Sequence, residues 1–210
     1  MKTLILVDFD GTLTRKDSTV RLLLSLVRHH PRRIPALLPD LRRMLAARGR
    51  GDADGLQAAK CRAVGTLIQG LTDGELEAAL YTYTLRVARL FRPTLLLHLK
   101  NEQWAGKRVF IVTASPDLAV QYALSRYGLE VIGTRFEKRK GRYTGTLATP
   151  PCFGPEKLTR VEARLREEGL AWPEDTEGWA DSPSDQPLLD RCTRQMWVGR
   201  NFTMEAAPTT

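Results

Sequence analysis

The feature that most constrains the fold is a short apolar run, TLILV at 3–7, which ends directly at Asp8. A run of this kind is typical of a strand buried in a parallel sheet. Similar runs occur at 108–112, 129–132, 177–180 and 196–198, and helical patterns lie between them at 116–127 and 157–168. Strands that alternate with helices predict an α/β fold with a Rossmann-like parallel sheet core.

The stretch 15–100 contains no convincing strand and is predicted to be a helical cap inserted after the first strand. We expect helices at about 17–30, 35–48, 54–70 and 73–91, separated by Pro- and Gly-containing segments. The predicted domains are therefore an α/β core, 1–14 plus 101–210, and a helical cap, 15–100. Within the core, residues 135–147 predict a hairpin that turns near Lys140–Gly141, and the last ten residues predict a frayed tail.

Cysteine spacing and hydropathy indicate the compartment. Cys61, Cys152 and Cys192 are widely spaced and odd in number, so they form neither a disulfide framework nor a metal-binding pattern. The chain has no run of 18 apolar residues and no signal-peptide pattern at its N-terminus. These features favour a cytoplasmic protein, since free thiols persist in a reducing compartment.

Positive charge is concentrated in one segment of the chain. The net charge is +8, and residues 15–50 contain ten Lys or Arg and two Asp, so this segment alone accounts for the excess. Apolar clusters alternate with arginines over residues 22–50. The pattern allows two interpretations: a surface that lies in a membrane interface and binds anionic headgroups, or an ordinary amphipathic helix pair with a solvated arginine face.

The strongest indication of chemistry is the segment DFDGTLT at 8–14, directly after the first strand. Two carboxylates at a strand end can have different duties: Asp8 as a covalent nucleophile in phosphoryl transfer, and Asp10 as the group that donates and then accepts a proton. Gly11 permits a sharp turn away from the sheet. An isolated Asp-x-Asp would instead favour a simple acidic corner.

Polar residues after other strands strengthen the catalytic interpretation. The Thr113 hydroxyl and the Ala114 N–H, after the second strand, could bind an anion, although Thr113 could also cap a helix. Lys157 opens a helix, where a lysine is disfavoured by the helix dipole unless an anion lies beside it. Asp181 could complete an oxygen-rich magnesium site with Asp8. Ligands of such sheets bind beyond the carboxyl ends of the strands, where these residues are predicted to meet.

Four ordered segments resemble the haloacid dehalogenase superfamily, and within it the phosphoserine-phosphatase-like branch. They are DFDGTLT at 8–14, FIVTASP at 110–116, CFGPEKL at 152–158 and WADSPSDQPLL at 179–189. The hairpin and the cap between the first two motifs also resemble this branch, so the resemblance covers nearly the whole chain. One departure is Ala180, where related sequences often have Gly.

The resemblance implies a role for each matching residue. Asp8 would be the nucleophile and a Mg²⁺ ligand, and Asp10 the general acid/base that also lends its backbone carbonyl to the metal. Thr113, Ala114 and Lys157 would hold the phosphoryl oxygens. Asp181 would bind Mg²⁺ directly, and Gly11, Thr12 and Asp185 would support the site. The implied activity is a Mg²⁺-dependent phosphatase with an aspartyl-phosphate intermediate.

The resemblance leaves the phosphate ester open. Segments 145–157 and 179–198 are most similar to phosphatidylglycerophosphatases, which implies a lipid phosphate such as phosphatidylglycerophosphate and peripheral contact with the inner membrane surface. The alternative is phosphoserine or another small metabolite, but phosphoserine phosphatases have Ser-Gly-Gly where this chain has Thr113-Ala114-Ser115, and a Glu near the position of Asp17. Two further hypotheses remain: a phosphotransferase, and a non-catalytic protein that binds anions or nucleic acid. The cap lacks interleaved aromatic residues, so nucleic acid is not the expected partner.

Overall fold

The computed structural model describes residues 3–199 and contains a five-stranded parallel sheet. Its strands are β1 (Leu4–Val7), β2 (Arg108–Pro116), β3 (Glu130–Thr134), β6 (Thr176–Ala180) and β7 (Arg194–Trp197), and they lie in the order β3–β2–β1–β6–β7. β1 lies in the middle, and its four apolar side chains are all buried. The predicted α/β fold with a Rossmann-like parallel core is confirmed.

The second strand is longer than predicted, and its extra residues shift the start of the next helix. The apolar run ends at Val112, but β2 continues to Pro116 with a register irregularity between these two residues. Pro116 is therefore not the first helical residue, as predicted, but the residue before α6 (Asp117–Leu124). Thr113 lies inside β2 and is not a helix cap. Residues 113–115 gave no strand pattern because Thr113 and Ser115 are polar and lie where the pairing of β2 with β3 is irregular.

The cap helices lie close to their predicted positions. They are α1 (Thr19–His29), α2 (Ile34–Gly49), α3 (Ala53–Ile68) and α4 (Asp73–Val87). A fifth helix, α5 (Pro93–Trp104), was not predicted, because the run of leucines after Pro93 has no clear polar face. Leu95, Leu96 and Leu99 of this helix are buried in the main apolar core. The division into a core, 1–14 plus 101–210, and a cap, 15–100, stays a prediction.

The predicted hairpin is confirmed as β4 (Phe136–Arg139) and β5 (Arg142–Leu147). Lys140 and Gly141, the two residues between the strands, both have positive φ, which suits a tight two-residue turn. α7 (Pro155–Glu167) and the short α8 (Gln186–Leu189) complete the fold. The predicted C-terminal tail lies outside the described residues. Within residues 3–199, no helix has the length and apolar character needed to cross a membrane.

Candidate active site

Asp8 lies immediately beyond the central strand, where its backbone N–H extends the pairing of β1 with β6 by donating to the Trp179 carbonyl at 2.9 Å. The side chain is buried, and both of its oxygens are held. Thr12 Oγ1 donates to Oδ2 at 3.0 Å, and Lys157 Nζ donates to Oδ1 at 2.7 Å. The carboxylate is therefore fixed in a single orientation at the carboxyl edge of the sheet.

Gly11 allows the loop after Asp8 to pass directly over Asp181. Its φ is 96°, in the left-handed region, and a Cβ built on it would lie 1.9 Å from Oδ2 of Asp181. Only glycine can adopt this φ without strain and also leave room for the Asp181 carboxylate. The predicted turn at Gly11 thus also brings the Asp181 carboxylate against the Asp8–Asp10 loop.

Lys157 lies in the first turn of α7 between two carboxylates. Its Nζ is 2.7 Å from Oδ1 of Asp8 and 2.8 Å from Oδ1 of Asp185, and its side chain is only 3% exposed. Burial disfavours the ammonium, but Asp8 and Asp185 together raise the pKa of Lys157 above its ordinary value. The lysine is therefore a fixed positive charge at neutral pH, and the carboxylates offset its unfavourable position at a helix start.

Asp10 has an environment different from that of Asp8. Ser18 donates its backbone N–H to Oδ1 at 2.6 Å, and Ser115 Oγ donates to Oδ2 at 2.5 Å. Burial, followed by the negative charges of Asp17 and Asp8, raises the pKa of Asp10 to about 7, against the opposing effect of these hydrogen bonds. A carboxyl group with such a pKa can both release and accept a proton near neutral pH.

Thr113 and Ala114 line the same pocket from the end of β2. Thr113 Oγ1 accepts the Ser115 N–H at 3.0 Å, and within the described chain its own hydroxyl hydrogen has no acceptor. The Ala114 carbonyl accepts from Thr134 Oγ1 at 2.7 Å and from Gln57 Nε2 at 2.8 Å. The strand end is thus held rigidly, with the Thr113 hydroxyl available to an anion.

The structure brings the predicted site residues together in one pocket of about 190 Å³. Predicted residues that line it are Asp8, Asp10, Thr113, Ala114, Lys157, Asp181 and Asp185, while Gly11 and Thr12 support it through their contacts with Asp181 and Asp8. A pocket of this volume can admit a phosphate and a small attached group, but not a pair of acyl chains.

Sequence reasoning did not identify the residues that close the pocket from the cap. Lys60 of α3 forms an ion pair with Asp17, and Gln57, one helical turn earlier, contacts β2. Although burial opposes it, Lys60 and the Thr19 N–H hold the pKa of Asp17 below its usual value. No local pattern distinguishes Lys60 or Gln57 from other polar residues of a cap helix, because their role depends on how the cap packs on the sheet.

A second residue that was not predicted is Arg92, which is only 6% exposed. Its guanidinium donates to the carbonyls of Thr12 at 3.0 Å, Gly11 at 3.4 Å and Gly199 at 3.0 Å. These bonds brace the loop that follows Asp8 and Asp10, although Arg92 itself does not line the pocket. Phe153 and Ser115 also line the pocket; Ser115 lies within the FIVTASP motif, but no role was predicted for it.

The donor set suits a hard cation. The pocket is lined by five Asp (8, 10, 17, 181 and 185) and two Lys (60 and 157), which leaves an excess of negative charge. Burial and the charge of Asp8 raise the pKa of Asp181 and of Asp185 to about 6. Among residues 3–199, no group of three or more His, Cys, Asp or Glu side chains is arranged to hold a metal. The predicted set needs only two carboxylates and a backbone carbonyl, because Mg²⁺ retains waters and binds phosphate oxygens, so the residues present fit this ion.

Residues 5–190 match the family model of haloacid dehalogenase-like hydrolases. Protein CicA of Caulobacter vibrioides is 33% identical over 164 residues, which cover 75% of this chain and 70% of CicA. A Bordetella pertussis Tohama I protein of unknown function has a structure with a TM-score of 0.79 and 25% identity, covering 94% of this chain and 90% of that one. A substrate-bound phosphoserine phosphatase shares the fold, with a TM-score of 0.58, 19% identity and coverage of 93% and 85%.

Proposed function

Because this chain belongs to the haloacid dehalogenase-like hydrolase family, we propose that it is a Mg²⁺-dependent phosphatase that uses Asp8 as its nucleophile. Three predictions are confirmed: that the chain belongs to the haloacid dehalogenase superfamily, that its fold is of the phosphoserine-phosphatase-like type, and that it is a phosphatase of this family. The observation that carries the proposed mechanism is the pairing of two unlike carboxyl groups in one pocket. Asp8 is held beside a buried lysine, and Asp10 has a pKa of about 7.

In the first step, an oxygen of Asp8 attacks phosphorus and the bond to the ester oxygen breaks. Asp10 in its acid form gives its proton to that oxygen, which leaves as an alcohol. In the second step, Asp10 as a carboxylate takes a proton from water, whose oxygen attacks phosphorus. The bond to Asp8 then breaks, phosphate is released, and both aspartates return to their starting forms.

The remaining residues bind and orient the phosphoryl group. The Lys157 ammonium, the Thr113 hydroxyl and the Ala114 N–H are the donors proposed for its oxygens, since all three residues line the pocket. Asp8, Asp181 and the Asp10 carbonyl would hold Mg²⁺. When bound, this ion would neutralise negative charge on the phosphate. Gly11, Thr12 and Asp185 keep the carboxylates and the ammonium in place.

The test is release of phosphate from a generic soluble ester by the full-length protein. We expect turnover that requires Mg²⁺, stops with a chelator and is lost in Asp8→Asn, because an amide is a poor nucleophile. Asp52→Asn is a matched control, since Asp52 is exposed and caps α3 far along the chain from the motifs. More than trace turnover by a folded Asp8→Asn protein would contradict the nucleophile, and phosphate transferred to an alcohol acceptor would indicate a phosphotransferase.

For the substrate, we propose a lipid phosphate such as phosphatidylglycerophosphate, at the inner surface of the cytoplasmic membrane. The basic segment supports this proposal, since residues 15–50, which include α1 and α2 of the cap, account for the chain's excess positive charge. The small pocket requires that only the headgroup enters while the acyl chains stay outside. Nucleic acid is not the proposed partner.

A small phosphorylated metabolite is the second candidate, and one observation favours it. Asp17 and Lys60 lie at the pocket and present opposite charges, which would complement the amine and carboxylate of phosphoserine if their ion pair opened. A panel of phosphatidylglycerophosphate, phosphoserine, histidinol phosphate and sugar phosphates distinguishes the two. Hydrolysis of phosphoserine in preference to the lipid would reject the lipid assignment and leave the phosphatase proposal intact.

A further inference from the structure

The cap helix α2 turns an apolar stripe toward solvent. In this 16-residue helix only Leu37, Asp40 and Ala47 are buried. Ile34, Leu38 and Leu45 are instead 42%, 50% and 71% exposed. Their spacing of four and seven residues places them on one face of the helix, on the side away from the core.

Arginines flank this stripe, and the structure divides the basic residues of the segment into two groups. Arg33 and Arg43 are used internally: Arg33 donates to the Gln69 carbonyl at 2.6 Å, and Arg43 to the buried Asp40 at 2.8 Å. Arg42 and Arg48 are exposed and form no ion pair with any residue in the described part of the chain. They lie four residues after Leu38 and three after Leu45, so they border the stripe on either side.

We propose that this outer face of α2, formed by Ile34, Leu38, Leu45, Arg42 and Arg48, is a docking surface for an anionic lipid bilayer. It deepens the proposed function, because it would hold the enzyme at the surface where a lipid phosphate lies. The leucines enter the boundary between headgroups and acyl chains, and the arginines reach the lipid phosphates. The apolar stripe and the two arginines that border it lie on the same side of the helix, and this arrangement can bind the surface of an anionic bilayer.

Charge complementarity favours a bilayer over other occupants of this face. A nucleic acid would use the arginines but would leave the leucines exposed to water. Three apolar side chains between cations are also a small area compared with what a stable dimer buries. An anionic bilayer satisfies both the apolar stripe and the local excess of eight positive charges in residues 15–50.

The test is co-sedimentation of the full-length protein with vesicles of phosphatidylcholine mixed with phosphatidylglycerol, and with vesicles of phosphatidylcholine alone. Neither lipid is a phosphate monoester, so binding is measured independently of turnover. We expect binding to the mixed vesicles only, weakened by salt. Arg42→Gln with Arg48→Gln, and separately Leu38→Ser with Leu45→Ser, should each lower the partition coefficient by about fivefold or more.

Matched controls change the same residue types elsewhere. Arg126→Gln with Arg166→Gln removes two exposed arginines outside the cap, and Leu85→Ser with Leu97→Ser removes two leucines that are 54% and 59% exposed. These variants should bind vesicles as the wild type does. A polarity-sensitive dye on Leu45→Cys should shift to the blue on mixed vesicles, and the same dye on Leu97→Cys should not; Cys61, Cys152 and Cys192 are buried.

Three results would overturn the inference. They are absence of binding to mixed vesicles, equal loss of binding in the control variants, and a concentration-dependent dimer that Leu38→Ser with Leu45→Ser disperses. Binding to duplex DNA or RNA without binding to vesicles would assign the arginines to nucleic acid instead. If vesicle binding fails while a soluble ester is still hydrolysed, only the docking surface is rejected. Vesicle binding without any phosphate release would reject the phosphatase and leave the surface.

Discussion

Lys157 Nζ lies 2.7 Å from Oδ1 of Asp8, and both side chains are almost completely removed from solvent. The pair joins the first turn of α7 to the end of the central strand, two elements that are far apart in the chain. In an enzyme that forms an aspartyl phosphate, the same ammonium would neutralise first the Asp8 carboxylate and then the phosphoryl group bound to it. Removing it would leave Asp8 and Asp185 as buried charges without a cation.

Lys157→Met should therefore lower both activity and stability. Turnover of a soluble ester should fall to trace levels, and the free energy of unfolding at neutral pH should fall by about 3 kcal/mol, the usual cost of breaking a buried pair. Denaturant unfolding and phosphate release measure the two effects. Lys140→Met, at the exposed hairpin turn, is the control and should change neither. A stable and active Lys157→Met protein would show that the ion pair has no part in the site.

The strand ends of the site could be predicted from the sequence because they are marked locally. Asp8 follows a run of four buried apolar residues, and Asp181 follows β6, so the general rule for parallel sheets was enough to place them at one edge. The roles assigned to them stay predictions. The rule cannot give the way in which the cap packs on that edge.

Lys60, Gln57 and Arg92 illustrate why the rest could not be predicted. Lys60 and Gln57 reach the pocket only because α3 packs over the end of β2. The face of α3 that contacts the pocket cannot be predicted from the sequence of this helix. Arg92 acts through backbone carbonyls, which leave no pattern in the sequence. The extension of β2 to Pro116 was not predicted, because the apolar run ends at Val112 and the next four residues, which include Thr113 and Ser115 of the site, do not continue it.

Ser115→Ala should raise the pKa of Asp10. The hydroxyl donates to Oδ2 at 2.5 Å and stabilises the charged form, so its loss should move the pKa upward from about 7. The limb of the pH profile of kcat/KM that reports Asp10, measured with a soluble ester at saturating Mg²⁺, should shift to higher pH. Ser125→Ala is the control, because Ser125 is exposed and donates only to a helix carbonyl. A shift to lower pH, or none, would contradict the assignment of Asp10.

The metal-free protein should lose stability as the pH rises toward neutrality. Asp10 and Asp185 have pKa values of about 7 and 6 in the folded state, above the value of about 3.9 for an unfolded Asp, so the folded state binds more protons between these limits. The destabilisation should begin near pH 4 and be complete above pH 7. Glu168, whose pKa is lowered to about 2, acts in the opposite direction but only at lower pH. His30, whose pKa is lowered by burial and by Arg33, also acts in the opposite direction, below about pH 6.5, but it contributes equally to the two proteins compared below.

The measurement is the Tm between pH 5 and 8 with a chelator, for the wild type and for Asp10→Asn. Asp10→Asn cannot ionise, so its Tm relative to the wild type should rise across this range. Mg²⁺ should raise the Tm of the wild type more at pH 8 than at pH 5, because a cation binds the ionised carboxylates. A relative Tm that falls with pH, or a Mg²⁺ effect that is larger at pH 5, would contradict the raised pKa values.

Gly11→Ala should abolish turnover for two reasons that can be separated by a control. The new Cβ would lie 1.9 Å from Oδ2 of Asp181, and φ is 96°, so either the carboxylate or the loop that carries Asp8 and Asp10 must move. Gly51→Ala has a similar backbone penalty, at φ 67°, but its Cβ would meet nothing within 4 Å. Each variant should lose about 1 kcal/mol of stability from the positive φ. Only Gly11→Ala should also lose Mg²⁺ binding, measured by calorimetry, and phosphate release, because only there does the methyl group displace Asp181. Equal activity of the two variants would mean that Asp181 is not required where the structure places it.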